Sequence, residues 1–363
     1  MPSPMSPTIG KVLGVDVQLH WTFILLILFS LIYLPLFILM VFLFGSVFIH
    51  ELAHVITAKN NGIKPKRVIL FPLGGATVMN LDEIEPRAGL RIAVSGPLMS
   101  LFLGMLSAVL IVYSPLGLIT LSLQLLFVIN IILGVGNLLP AFPLDGGRVL
   151  KDYIERKRSP LKATEIAVSV SKVLMILFVI GTAVWVFTLN QTLLYKEFVI
   201  LIDLFIAIYI YGGAKAELQM ANVIEYTSKL KVRDAVNRSF IKVKPTTTLD
   251  RLYHALLRVK THIVLYQIGD KVFLVSRYLD ESKKRNAPLE EKPVADYGVE
   301  IPVMGYNEKL SRAVEEMEMN ETGIIAVKKN KKLAGVLLQQ HIDSLVALHM
   351  QQSNIKKRLG GAH

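Results

Sequence analysis

The chain has 363 residues, 53% of them hydrophobic, a mean hydropathy of +0.50 and no cysteine. This composition excludes an ordinary soluble domain, a disulfide scaffold and any metal site built on thiolates. The formal charge of +12 does not mark a nucleic-acid binder, because both signs are interspersed where it concentrates. Residues 1–213 hold 15 Lys/Arg against 11 Asp/Glu, and 214–363 hold 25 against 17. The second set reads as a solvated surface.

Met1-Pro-Ser-Pro-Met-Ser-Pro lacks a basic n-region and a small-residue cleavage site, so it is expected to be a short tail before a retained helix. Apolar stretches of spanning length follow at 18–34, 36–58, 91–113, 117–139, 165–189 and 195–213. His20 and Trp21 suit an interfacial anchor at the start of the first. Between the second and third, Val68–Met79 is apolar and β-prone but interrupted by Pro72, Gly74 and Gly75. It is expected to form a β-hairpin dipping into the membrane, where protein or a watery cavity satisfies its backbone. An amphipathic surface loop is the alternative.

Basic residues set the orientation. Six of the first 15 lie in 59–91 and seven in 148–172, whereas the opposite connections carry only Lys196. The positive-inside rule then puts both termini in the cytoplasm of a multi-pass cell-membrane protein. Lys172 and Asp203 fall within the fifth and sixth spans, near the midplane, and are expected to pair across helices.

The second span contains Ile49-His50-Glu51-Leu52-Ala53-His54-Val55. Imidazoles and a carboxylate are costly in lipid and ask for a function. At i and i+4 the histidines share a helical face with metal-ligand spacing, and Glu51 beside them could take a proton from water. A catalytic zinc takes three protein ligands and keeps one position open, so a third must be found. From Ile92 to Leu144 there is no Asp, Glu, Lys, Arg or His, and the first charge is Asp145 in Asn137-Leu-Leu-Pro-Ala-Phe-Pro-Leu-Asp-Gly-Gly-Arg148. Pro140 and Pro143 end or bend the fourth span, and Gly146-Gly147 are expected to turn the chain so that Asp145 points back towards the membrane. His54 lies five residues before Lys59, about 8 Å inside the boundary at helical rise, and the fourth span delivers Asp145 to that side and depth.

Beyond Gly212-Gly213 the composition becomes soluble α/β. Residues 228–350 repeat weakly at an offset of 61: Leu249, Arg251, Ile263 and Val275 fall on Leu310, Arg312, Ile324 and Val336. Each copy predicts a helix (Leu249–Val259; Leu310–Glu318), two strands (His262–Gln267 with Lys271–Ser276; Gly323–Lys328 with Lys332–Leu338) and a closing helix. The four histidines there have no metal spacing.

His50-Glu51-Leu-Ala-His54, with Asn137-x-x-Pro140-x-x-Pro143-x-Asp145-Gly146 ending a later span, resembles the site-2 protease family of intramembrane zinc metalloproteases. Phe71-Pro-Leu-Gly74-Gly75 and Ser95-Gly96-Pro97 are similar to its other recurrent stretches, and the likeness covers about 17–213. The resemblance implies one Zn²⁺ on His50, His54 and Asp145, with Glu51 as general base and proton donor. It implies substrate-binding roles for Asn137, Pro140, Pro143, Gly74 and Gly75, the glycines lending backbone edges to an unwound, membrane-anchored protein substrate. Val232-Arg-Asp-Ala-Val236 and Val243-Lys-Pro-Thr-Thr-Thr-Leu249 resemble the opening of a cystathionine-β-synthase (CBS) domain. A CBS pair implies adenine-nucleotide sensing, although Tyr278-Leu-Asp-Glu281 and His341-Ile-Asp343 match the phosphate-contacting segment only in part. A structural pair, forming a homodimer, is the other reading.

The expected architecture is a polytopic α-helical membrane protein of about six transmembrane helices with a membrane-dipping β-hairpin, joined to a soluble α/β tandem CBS domain. Its parts are a metalloprotease domain (1–213), a linker (214–227), the pair (228–350, divided near 295) and a tail (351–363). The rival readings are a CBS-regulated transporter or channel and a proteolytically inactive scaffold.

Overall fold

The structure, a computed structural model, describes residues 6–72, 74–79, 86–188, 192–256, 263–275, 293–320 and 322–360. The chain divides into two compact units at Asn222/Val223.

The first unit opens with two strands where a tail and a first span were expected. β1 (Thr8–Val12) and β2 (Val15–Leu19) form a hairpin whose two-residue turn puts Leu13 and Gly14 at positive φ. β2 pairs in parallel with β3 (Arg67–Phe71), and β3 pairs antiparallel with β4 (Gly74–Val78), giving the order β1-β2-β3-β4 with β4 at an edge. Alternation drives the assembly: Val15, Val17, Val68 and Leu70 point inward and pack on Phe23, Phe44, Val47 and Val55. The Leu73 side of the expected hairpin tip lies outside the described residues.

The stretch expected as span 18–34 is divided between β2 and α1 (Trp21–Ser30), a helix of 10 residues, about 15 Å long. His20 is its N-cap, accepting from the Thr22 amide at Nδ1. Among the described residues, four helices are long and apolar enough to cross a membrane: α2 (Leu34–Asn60), α3 (Pro86–Tyr113), α4 (Leu118–Asn137) and α6 (Pro160–Thr188). α5 (Asp145–Glu155) is short and amphipathic, and α7 (Leu193–Thr227) contains the expected sixth span and continues unbroken through 214–227. Because β2 and β3 are neighbours, α1 must lead away from the sheet and α2 must return to it. Both ends of that helical hairpin therefore lie on one side, although α1 is short.

Lys172 is exposed on α6 and Asp203 is buried on α7, and they form no ion pair. The expected pairing fails. Polar side chains instead join helices elsewhere, as where the buried Asn130 of α4 donates to Ser46 Oγ of α2 at 2.9 Å.

The second unit repeats a β-α-β-β pattern. β5 (Ile241–Lys242), α8 (Leu249–Leu256), β6 (Val264–Ile268) and β7 (Lys271–Leu274) form the first copy; β9 (Val303–Gly305), α9 (Leu310–Met319), β10 (Ile324–Lys329) and β11 (Lys332–Leu338) form the second. β8 (Val299–Ile301) crosses over to pair with β7, giving sheets β5-β6-β7-β8 and β11-β10-β9. α10 (Gln339–Gly360) follows β11. Residues 257–259, 262 and 276–281, parts of the expected helix, strands and phosphate-contacting segment, lie outside the described residues.

Candidate metal centre

One turn of α2 carries His50, Glu51 and His54, all buried at 3–6% exposure. Their ligand-capable atoms lie within 4.8 Å of one another. Asp145, 95 residues after His50, brings Oδ2 to 3.0 Å from His50 Nε2 and 3.3 Å from His54 Nε2. The two imidazoles thus present the same nitrogen to one carboxylate oxygen.

Each imidazole is oriented from behind. His54 Nδ1 meets the Ile92 carbonyl at 2.7 Å, and since a carbonyl only accepts, the proton sits on Nδ1. That leaves the Nε2 lone pair of neutral His54 facing Asp145. His50 Nδ1 meets Ser100 Oγ at 2.9 Å, and Ser100 is fully buried. Both supports come from α3. Gly96 lies between them, and a Cβ there would overlap the Nε2 atoms of His54 and His50. The absent side chain keeps the space in front of the imidazoles open. Two imidazole Nε2 atoms turned towards one carboxylate, with the space before them kept clear by Gly96, form a donor set that suits a divalent ion such as zinc.

Glu51 is held from the sheet. Thr77 Oγ1, on β4, donates to Glu51 Oε2 at 2.7 Å. Gly75, two residues earlier on the same strand face, packs so closely that a Cβ would overlap Glu51 Cγ. Glu51 therefore sits between the imidazole pair and a strand that forms an edge of the sheet among the described residues.

Asp145 is the first residue of α5, where a helix N-terminus favours a carboxylate. The turn expected at Gly146-Gly147 is made earlier, by residues 138–144, and both glycines are helical. Their role is close approach: a Cβ on Gly146 would overlap the Leu139 carbonyl, and one on Gly147 would lie 2.6 Å from the Phe142 nitrogen. Phe142 is fully buried, and its amide donates to Ser171 Oγ of α6 at 2.9 Å. Pro143 packs on Gly213 of α7, where a Cβ would lie 2.6 Å from the ring. Further along α5, burial pushes the Asp152 carboxyl up to about 6 against the opposing charge of Lys151.

A model of peptidase family M50 matches residues 38–118 and 115–178. A zinc metalloprotease of Methanocaldococcus jannaschii is 31% identical over 264 residues, covering 69% of this chain and 71% of that protein. The chain belongs to peptidase family M50. The M50 match spans the histidine turn, Gly96 and Asp145 alike, and so contains both halves of the cluster. Among solved structures, a site-2 protease from the same archaeon is 28% identical with a TM-score of 0.44, covering 59% of this chain and 95% of that one. The CBS domain of a bacterial CNNM/CorC family Mg²⁺ transporter is 14% identical with a TM-score of 0.30, covering 36% of this chain and 82% of that one.

The other residues singled out in the sequence fall less centrally in this M50 chain. Asn137 ends α4, and its Nδ2 donates to the Leu133 carbonyl at 2.9 Å within its own helix. Pro140 and Pro143 shape the connection to α5. Gly74 pairs with Phe71 and Gly75 with Leu70. Thr77, Ser100 and Ser171 were not singled out. Thr77 follows Gly75 at the strand period of two, and Ser100 lies one helical turn beyond Gly96, so both carried a positional signal.

Proposed function

We propose that the chain is an intramembrane zinc endopeptidase that hydrolyses peptide bonds within or near the transmembrane segments of membrane-anchored proteins. The observation that carries this reading is the convergence of His50 Nε2, His54 Nε2 and Asp145 Oδ2, with Glu51 buried beside them. A two-histidine, one-carboxylate set leaves a position open for chemistry. His50, His54 and Asp145 would hold the ion, which when bound lowers the pKa of water and polarises a peptide carbonyl. The M. jannaschii relative is named a zinc metalloprotease, which agrees with this donor set.

Glu51 removes a proton from the attacking water and returns it to the departing amide nitrogen, so the bond breaks without a free strong acid or base. Thr77 holds one carboxylate oxygen and leaves the other for this transfer. A transmembrane helix must unwind before it can be cut, and its freed N–H and C=O groups need partners. The free edge of β4 supplies them by strand addition, with Gly74 and Gly75 nearest the site. Asn137, Pro140 and Pro143, in the segment that leads from α4 to Asp145, would complete the substrate site.

The basic connections 59–91 and 148–172 favour a six-crossing arrangement with both termini cytoplasmic, in which α1 with its following turn and α2 act as an out-and-back pair. The repeated β-α-β-β unit supports reading the C-terminal region as a CBS pair that takes an adenine nucleotide or pairs with a second copy.

Cleavage of a single-span reporter by the purified chain, set beside its zinc content, tests the reading. Glu51→Gln is expected to retain zinc while cleavage falls by about 10²–10⁴-fold. Undiminished cleavage by folded, zinc-loaded Glu51→Gln would refute it.

A further inference from the structure

α6 carries a feature that the proteolytic site does not use. A groove of about 580 Å³ is lined by residues 162–174 of α6 and by Leu218 of α7. Its walls are graded along the helix. Lys162 and Glu165 lie at the start, paired at 2.9 Å; Ser169 and Lys172 lie in the middle; Val173 and Leu174 lie beyond. Lys162 is satisfied by its partner, whereas Lys172 is exposed and has no ion-pair partner among the described residues.

The depth of these residues says what could satisfy Lys172. α6 has 29 residues, about 44 Å at helical rise, longer than a hydrocarbon core of ~30 Å. Trp185 and Thr188 suit the far interface, and the sequence beyond is polar, Asn190-Gln191. About 20 residues back from Thr188 is Ser169, which sets the near boundary of the core. Counted from these interface residues, Lys172 lies about 4–5 Å inside that boundary and not near the midplane, as the shorter span 165–189 had placed it, and its stem reaches the boundary by extending towards the helix N-terminus. The Lys162–Glu165 pair falls among headgroups, and Val173 and Leu174 fall beside acyl chains.

We propose that this groove is a binding site for an anionic phospholipid, with the phosphate on Lys172, the polar headgroup beside Lys162 and Glu165, and an acyl chain against Val173 and Leu218. The gradient from ion pair to cation to apolar wall follows that of a phospholipid molecule. A volume of 580 Å³ is within the range of small-molecule sites and suits a headgroup with the upper part of one chain. A soluble anion would not need the apolar floor, and a zwitterionic headgroup would bring a further cation beside Lys162, where an anionic one does not. The site is independent of the proteolytic reading, since none of its lining residues belongs to the metal centre.

Native mass spectrometry of the full chain, titrated with phosphatidylglycerol or with phosphatidylcholine of the same acyl chains, tests it. Wild type should retain a phosphatidylglycerol about fivefold more strongly than phosphatidylcholine. Lys172→Gln should erase that preference, Lys172→Arg should keep it, and Lys157→Gln, which removes an equal charge outside the groove, should leave it unchanged. Inorganic phosphate at millimolar concentration should not displace the lipid. Equal retention of the two lipids by wild type, an unchanged preference in Lys172→Gln, an equal loss in Lys157→Gln, or displacement by phosphate would each overturn the proposal.

Discussion

The two units of this chain build their interiors differently. In the first, buried polar groups reach across the sequence: His50 to Ser100 and Asp145, His54 to the Ile92 carbonyl, Glu51 to Thr77, and the Phe142 amide to Ser171. In the second, apolar clusters fill most of the interior, one around Leu249, Leu252 and Tyr266 and one around Leu265, Val272 and Ile301, beside a few buried polar side chains such as Ser311 and Glu315. Lipid gives little reward for bringing apolar helices together, so long-range polar contacts mark where a membrane unit is specified. In water the apolar faces themselves drive assembly, and their pattern reports the fold without locating chemistry.

This contrast can be broken by exchanging the kinds of damage. The largest effect is expected from Gly96→Ala, whose single methyl enters the space before both imidazoles. Zinc affinity should fall by more than about 100-fold while helicity and the C-terminal unit stay intact, as isothermal titration and circular dichroism would report. A much larger deletion in the other unit should do less to the metal centre. Ile325→Ala empties a fully buried site on β10 and should destabilise the C-terminal unit by about 2–5 kcal/mol in denaturant titration, with zinc content unchanged. A smaller effect is expected at the sheet. Thr77→Val keeps the shape but removes the donor to Glu51, so kcat should drop about tenfold with KM and zinc content nearly constant, and Thr77→Ser should restore it. A change in KM alone would move Thr77 from positioning Glu51 to binding substrate.

The same contrast explains which parts were legible in the sequence. His50, Glu51, His54 and Asp145 stood out because charges are rare in apolar helices, and the charge-free interval from Ile92 to Leu144 left Asp145 as the next candidate. The hairpin strands β6, β7, β10 and β11 of the second unit were legible from their pattern, and β11 spans Lys332–Leu338 as predicted, whereas β5, β8 and β9, of two or three residues each, are too short to carry an alternation. The hairpin of β3 and β4 falls where Val68–Met79 predicts one, but β1 and β2 were missed because a run of hydropathy from residue 18 onward hid the shorter alternation of Val15 and Val17, which the parallel partner β3 completes. Parallel pairing across 50 residues leaves no local turn signal. Ser100 and Thr77 were missed for a related reason. A single hydroxyl in a helix or strand usually bonds to its own backbone, and only the packing of α3 and β4 against α2 turns these two towards His50 and Glu51. The pairing of Lys172 with Asp203 failed because depth along two helices does not fix which way each faces.

The central claim is that two segments 95 residues apart form one metal site. Zinc stoichiometry and affinity of the purified full chain, wild type beside Asp145→Ala, test it most directly. The account predicts about one zinc per wild-type chain and a loss of at least about 100-fold in affinity for Asp145→Ala, with the fold retained. An Asp145→Ala chain that holds zinc as tightly as wild type would contradict it.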